Sequence, residues 1–207
     1  MTKKHTRLFL AIDASGKTDG DVMKFFWEKF NLMIEAYRAD PFALEQLHID
    51  VSFFNHSLYR VASPSPIFEL DLYNLKINFQ GRKSSPRLLG RAALNLLEVI
   101  TKDEQDRMAK KFWSRPIICF FTAGLANDTL EFTSSLALLQ EKAEVFLFCL
   151  NEDTRLLFSS RYPSVRSRRW GELRTEETCV KGAFEIFDLS SASASVLTYP
   201  FRVRFFS

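Results

Sequence analysis

The stretch Asp13-Ala14-Ser15-Gly16-Lys17-Thr18 holds the densest set of reactive side chains in the chain. The apolar run Leu8 to Ile12 stops at an aspartate, and a small polar turn follows at once. Gly16-Lys17-Thr18 matches the end of a phosphate-binding P-loop, in which backbone N–H groups and a lysine face phosphate oxygens. The full pattern, however, places its first glycine at Ala11, inside the apolar run. Ala11-Ile12 lacks the conformational freedom that such a loop requires. The partner acid is also misplaced. Ala123 follows the run Ile117 to Phe121, and only Asn151-Glu152-Asp153, after Val145 to Leu150, offers carboxylates. A P-loop-like nucleotide-binding ATPase working through Gly16-Lys17-Thr18 is therefore an alternative reading, not the leading one.

Other chemistry is sparse. His5, His48 and His56 are the only histidines, and none stands in sequence beside a nucleophile with an activator. Cys119, Cys149 and Cys179 are odd in number and lack metal-ligand spacing. Cys119 and Cys149 sit in apolar runs, where a thiol behaves as a small buried hydrophobe. The sequence predicts a protein that is not an enzyme. Arg161, Arg166, Arg168, Arg169 and Trp170 form a basic patch with one interleaved aromatic. Such a patch could engage phosphates or an acidic surface, although a solvated loop is the simpler reading.

The bulk composition narrows the class. A net charge of +3, from 28 basic and 25 acidic residues, is too mild to argue for nucleic-acid binding. Lys3, Lys4 and Arg7 precede an apolar run too short for a signal-peptide core, and no run has the length of a membrane span. Unpaired cysteines fit a reducing compartment. The expectation is a soluble, cytoplasmic protein with no membrane partner. The 21 phenylalanines include the pairs Phe25-Phe26, Phe53-Phe54, Phe120-Phe121 and Phe205-Phe206. They predict a core filled with large rings, an aromatic docking surface being the sharper alternative.

Apolar strands alternating with amphipathic helices predict one α/β domain over residues 1–207 with a largely parallel sheet, residues 1–6 being loosely packed. Strands are expected at 8–12, 47–54, 58–61, 117–121 and 145–150. Helices are expected from Thr18 to Arg38, from Pro86 through Val99, at 130–142, 153–160 and 177–196. Pro86 reads as a first-turn residue. Asp40-Pro41 reads as a stop, Ser63-Pro64-Ser65-Pro66 as a loop, and 161–174 as basic and irregular.

Several landmarks line up in order: strand-Asp13-x-Ser15, a long helix, the strand through Val51-Ser52-Phe53, and Leu89-Gly90-x-Ala92-Ala93-Leu94. Arg115-Pro116-Ile117-Ile118-Cys119-Phe120-Phe121-Thr122-Ala123-Gly124 follows, and then Ala183-Phe184-Glu185-Ile186-Phe187. Together they resemble von Willebrand factor A (VWA) domains, in particular the small bacterial subfamily of tellurite-resistance and stress operons. The resemblance implies a Rossmann-type three-layer domain, with helices on both faces of a central, mostly parallel sheet.

It also implies a metal-ion-dependent adhesion site at the carboxyl ends of the strands. The family motif wants Asp-x-Ser-x-Ser, a Thr before the Leu-Gly helix, and an Asp in Thr-Asp-Gly, all hard oxygen ligands suited to Mg²⁺. Asp13 and Ser15 match. Lys17 stands at the third position and cannot coordinate a cation while protonated. The Thr position falls on Arg87 by register, or on Ser84 or Ser85 with an insertion. Ala123 replaces the final Asp. A cation on a side chain would then stand in for the ion: Lys17, with or without Arg87, forming a charge-assisted pair with Asp13. The leading expectation is a non-enzymatic protein-interaction module with a degenerate, metal-free site. Its binding edge combines Asp13, Ser15, Lys17, Arg87, Thr122 and Ala123 and extends over Pro86 and as far as Asn127. The implied setting is a bacterial stress-response or signalling complex, with a protein partner and no cofactor. A Mg²⁺-dependent adhesion domain is the further alternative, with Asp19, Asp21 or Asp128 supplying the missing ligands.

Overall fold

A computed structural model describes residues 5–15, 21–80, 86–107, 114–150 and 152–169. The strand β1 (Thr6–Asp13) is buried along its whole length: Leu8 to Ile12 are apolar on both parities, and Arg7 and Asp13 are ion-paired. Leu8, Leu10 and Ile12 face one core, and Phe9 and Ala11 face the other. A strand buried on both faces belongs in the middle of a parallel sheet. β2 (Leu47–Phe54) and β4 (Ile117–Thr122) pair with it on either side, both parallel. β5 (Glu144–Cys149) and β6 (Arg166–Arg169) extend the sheet in parallel, and β3 (Leu58–Pro66) closes the other side antiparallel to β2. The order is β3-β2-β1-β4-β5-β6.

Helices cover both faces. α1 (Asp21–Ala39) packs with α2 (Pro41–Gln46) and the short 3₁₀ turn Ile67–Glu69 over the first core. α4 (Leu89–Arg107), α5 (Thr129–Lys142) and α6 (Glu152–Arg161) enclose the second. α3 (Leu72–Gln80) follows the 3₁₀ turn. The rings are core. Phe53 and Phe121 point into the first face, and Phe54 and Phe120 into the second. Stacked Phe121 and Phe148, with ring centroids 5.0 Å apart, join two adjacent strands.

Five local expectations are corrected. Thr6 is buried and begins β1, and Ser114 N–H donates to the His5 carbonyl at 2.8 Å, so the packed chain starts before residue 7. Ser63-Pro64-Ser65-Pro66 is not a loop but the end of β3, where proline is tolerated because the strand lies at the sheet edge. Asp40 does more than stop a helix. Its Oδ1 accepts from Phe42 N–H at 2.7 Å and Ala43 N–H at 2.9 Å, capping α2 with Pro41 in its first turn. Residues 166–169 are not irregular but pair with β5. Pro86 is exposed and precedes α4, which begins at Leu89. The helix expected at 177–196 lies outside the described residues, as does the Thr18 start of α1.

The start of α4 is fixed from outside the helix. Asp128 accepts from Gly90 N–H at 3.0 Å and Arg91 N–H at 2.8 Å, so a residue at the head of α5 caps α4. Gly90 permits this approach: a Cβ there would lie 2.5 Å from Phe132 N and 2.8 Å from Asp128 Oδ2. Gly90→Ala must push the two helices apart, and a loss of about 1–3 kcal/mol is expected. Asp128→Ala removes only the cap, with an expected loss of about 0.5–2 kcal/mol. Urea denaturation of both variants and of the double variant checks the link. Losses that simply add would separate the cap from the packing.

Candidate functional site

Asp13 is the last residue of β1 and Thr122 the last of β4, so the parallel register brings both to the carboxyl edge of the sheet. This is the edge where open α/β sheets bind ligands. Arg87 arrives on the loop before α4 and Ser15 on the turn after β1. Asp13 is only 1% exposed and Arg87 6%. The Arg87 Nε–H donates to Asp13 Oδ2 in a short ion pair, and Nη2 donates to Ser15 Oγ at 2.9 Å.

The carboxylate has further donors. Ser15 N–H reaches Oδ1 at 2.8 Å, and Ala123 N–H reaches Oδ2 at 3.0 Å. Ala123 thus enters the site through its backbone. The Thr122 hydroxyl lies 3.3 Å from Asp13 Oδ2 and 2.7 Å from the Gly124 carbonyl, and its single proton favours the shorter contact. Gly124 gives the guanidinium its room: a Cβ there would lie 2.6 Å from Arg87 Nη1.

The segment that delivers Arg87 is held from two sides. Its backbone N–H donates to Asn127 Oδ1 at 3.1 Å, while Asn127 N–H donates back to the Arg87 carbonyl at 3.0 Å. Leu88 N–H donates to the Asn55 carbonyl at 2.6 Å, tying the loop to the β2–β3 turn. Sequence reading placed Asn127 and Gly124 on the edge without these roles. The signal that could have found them is an Asn-Asp pair just ahead of an amphipathic helix and a glycine two residues past a buried strand.

The metal question can be tested on these residues. The would-be ligands Asp13 and Ser15 both accept hydrogen bonds from the Arg87 guanidinium. A dication about 4 Å from that guanidinium would be strongly repelled in a buried setting. No cluster of three or more His, Cys, Asp or Glu residues able to hold a metal occurs among the described residues. Asp128, expected as a substitute ligand, instead has both oxygens on the α4 amides. Among the described residues, the set around Asp13 does not fit a divalent ion. Lys17 and Asp19 lie outside the described residues, as do Ser84 and Ser85.

The remaining sequence candidates lie elsewhere. Arg161 ends α6 and Arg166 begins β6, its guanidinium 5.7 Å from the Phe146 ring centroid. Arg168 and Arg169 continue that edge strand, and Trp170 lies outside the described residues. His56 sits in the β2–β3 turn with its Nε2 2.9 Å from Tyr59 Oη. His5 and His48 meet edge to face at 5.1 Å, and burial lowers the His48 pKa. Burial raises both core thiols, Cys149 to about 12, so neither has nucleophile character at neutral pH.

Sequence reading missed a second buried charge cluster. Arg7 Nη2 donates to Asp50 Oδ2 at 3.2 Å, and Arg60 donates to the same oxygen. Burial pushes the Asp50 carboxyl up, while Arg60 and then Arg7 draw it back. The signal was a charged residue inside each of two apolar strands.

No protein-family profile and no curated protein sequence matches the chain. Solved structures do. The chain is similar to a von Willebrand factor type A protein from Catenulispora acidiphila at TM-score 0.59 and 11% identity, over 88% of this chain and 42% of that one. It is similar to the manganese-loaded TRAP protein of Plasmodium vivax at TM-score 0.55 and 11% identity, over 83% and 71%. An aerotolerance-related membrane protein from Bacteroides fragilis matches at TM-score 0.57 and 9% identity, over 89% and 99%. The chain therefore spans less than half of the Catenulispora protein and nearly all of the Bacteroides one. The architecture is a three-layer α/β domain of VWA type. Among the described residues, no helix is long and apolar enough to cross a membrane.

The pair predicts its own energetics. Arg87→Ala leaves a buried carboxylate uncompensated and is expected to cost about 3–5 kcal/mol. Arg87→Lys restores the charge but not the two-point reach to Asp13 and Ser15, so it recovers only part. Asp13→Asn combined with Arg87→Met removes both charges and should be milder than Arg87→Ala alone. Guanidinium chloride unfolding measures this order, and Arg87→Ala at wild-type stability would refute the pairing.

Proposed function

We propose that the chain is a non-enzymatic protein-interaction module whose VWA-type adhesion site is degenerate and metal-free. The observation that carries this reading is the Arg87 guanidinium hydrogen-bonded to both Asp13 and Ser15. A tethered cation fills the electrostatic role that an ion has in the metal-binding form of the motif. Arg87, the register-matched candidate, makes the pair, and Lys17 lies outside the described residues.

Binding through a partner carboxylate bridging to a metal is then replaced by shape and apolar contact. Exposed Pro86 and Asn127 border the site, and Leu130, 87% exposed, stands in the first turn of α5, three residues after Asn127. These groups suit a protein surface better than a small anionic ligand, because the Arg87 charge is already balanced by Asp13. The resemblance to the bacterial stress-operon subfamily supports a cytoplasmic signalling or stress-response complex as the setting.

Thermal unfolding of the full chain tests this against both alternatives. A ligand at a hundred times its Kd adds about 2.7 kcal/mol to stability. For a chain of this size that is a Tm rise of roughly 5–11 °C. The expected result is an unchanged Tm with EDTA, Mg²⁺, Mn²⁺ or ATP with Mg²⁺. A metal-dependent rise abolished by Asp13→Ala would establish the adhesion reading instead. A saturable rise with ATP and Mg²⁺, lost in Lys17→Ala, would establish the nucleotide-binding one.

A further inference from the structure

Phenylalanine fills both cores, yet some large rings stay outside them. Among the described residues the exposed phenylalanine and tyrosine side chains are Phe42, Phe68 and Tyr73, at 57%, 60% and 74%. They stand on α2, the 3₁₀ turn and α3. α2 touches the turn, and α3 begins three residues after it. Glu69 and Asp71, both exposed, lie between Phe68 and Tyr73 in sequence. Neither makes an ion pair among the described residues. The turn that displays them is fixed, because Arg38 donates to the Ile67 carbonyl at 3.4 Å and to the Leu70 carbonyl at 2.5 Å. A surface already held in one arrangement loses less freedom on binding.

This strip belongs to one end of the sheet, because α2 touches β2 and β3 and the turn follows β3 directly. The opposite end is β6. There Arg161 ends α6 and Arg166 begins β6, and both are exposed. Neither arginine makes an ion pair among the described residues. Ser159 Oγ and Ser167 Oγ, 2.5 Å apart, join the two elements. Leu157, 52% exposed, precedes Arg161 by one helical turn, so an apolar group shares that face. The chemistry of the two ends is complementary: a guanidinium packs on the face of an aromatic ring and pairs with a carboxylate. Within one molecule they cannot meet. Five strand spacings, about 24 Å, separate them across the sheet.

We propose that the strip on α2, the 3₁₀ turn and α3 binds the end carrying Arg161 and Arg166 of a second copy of this chain. The two arginines pair with Glu69 and Asp71, and their stems and Leu157 cover Phe68 and Tyr73. The contact joins two different surfaces, so each bound pair leaves one of each free and the association repeats head to tail. Attraction between exposed charges makes it weaken with salt. It uses neither Asp13 nor Arg87, so it stands or falls separately from the adhesion-edge reading.

Sedimentation velocity on the full chain, from micromolar to millimolar protein, tests this. The mass is expected to rise with concentration past that of a dimer, and to fall when salt is raised. Phe68→Ser with Tyr73→Ser removes the rings of the strip, and Arg161→Gln with Arg166→Gln removes the charges of the basic end. Each pair of changes should weaken association on the order of tenfold. All four side chains are exposed, and circular dichroism checks that the variants fold. The mixture is decisive, because each variant keeps the end that the other has lost. Together they should form a heterodimer and nothing larger. Four outcomes overturn the proposal: a wild-type monomer throughout, a wild-type mass that stops at the dimer, association that either pair of changes leaves intact, or variants that stay apart on mixing.

Discussion

Asp13 is a carboxylate at the end of a strand buried on both faces, and leaving such a charge uncompensated costs several kcal/mol. The compensating charge comes from Arg87, far away in sequence, on the segment that leads into α4. That demand explains an otherwise scattered set of residues. Asn127 holds the loop backbone from one side and Asn55 from the other. Asp128 fixes where α4 begins, and Gly90 lets α5 come close enough for it to do so. Gly124 clears the path of the guanidinium. One buried charge thus sets the relation between β1, β4, α4 and α5.

The Arg7–Asp50–Arg60 cluster answers the same problem with two guanidiniums on one carboxylate oxygen. In both places the cation is arginine. Its planar fork reaches two acceptors at once and loses less on leaving water than an ammonium does. Buried ion pairs of this kind add little net stability relative to apolar packing, but breaking one is costly. They act here as register pins. Arg7 and Asp50 lie on neighbouring strands, and slipping β2 by one residue would turn Asp50 to the opposite face.

Much of this order was legible from sequence. β1, β4 and β5 are continuous apolar runs because both faces are covered, and such runs announce themselves. The register to Leu89-Gly90 offered Arg87 only as an addition to Lys17, the cation that sequence order puts first, and the observed partner of Asp13 is Arg87. Other features depend on neighbours that sequence order hides. Pro64 and Pro66 read as a loop because proline forbids a central strand, and only the sheet order reveals that β3 is an edge. Pro86 looked like a first turn because the actual cap, Asp128, lies in another helix. Residues 166–169 looked irregular because an edge strand of arginines has no apolar face to betray it. Ala123 looked like a lost ligand, although its backbone N–H still reaches Asp13.

A guanidinium and a metal ion differ in what they let a binding edge do. An ion keeps open coordination positions that a ligand can complete, so ligand binding and the state of the edge are coupled. Arg87 has no such position toward a partner. Its Nε and Nη2 already serve Asp13 and Ser15, and Asp13 in turn has donors on both oxygens. On the proposed reading the edge takes no ion, and its charge does not vary with ion supply. On that reading affinity comes from desolvating apolar groups around the pair, where a few well-placed contacts carry most of the binding energy. Leu130, exposed in the first turn of α5, is the kind of group that can do this, and the Asp13–Arg87 pair fixes the ends of β1 and the approach to α4 in one arrangement.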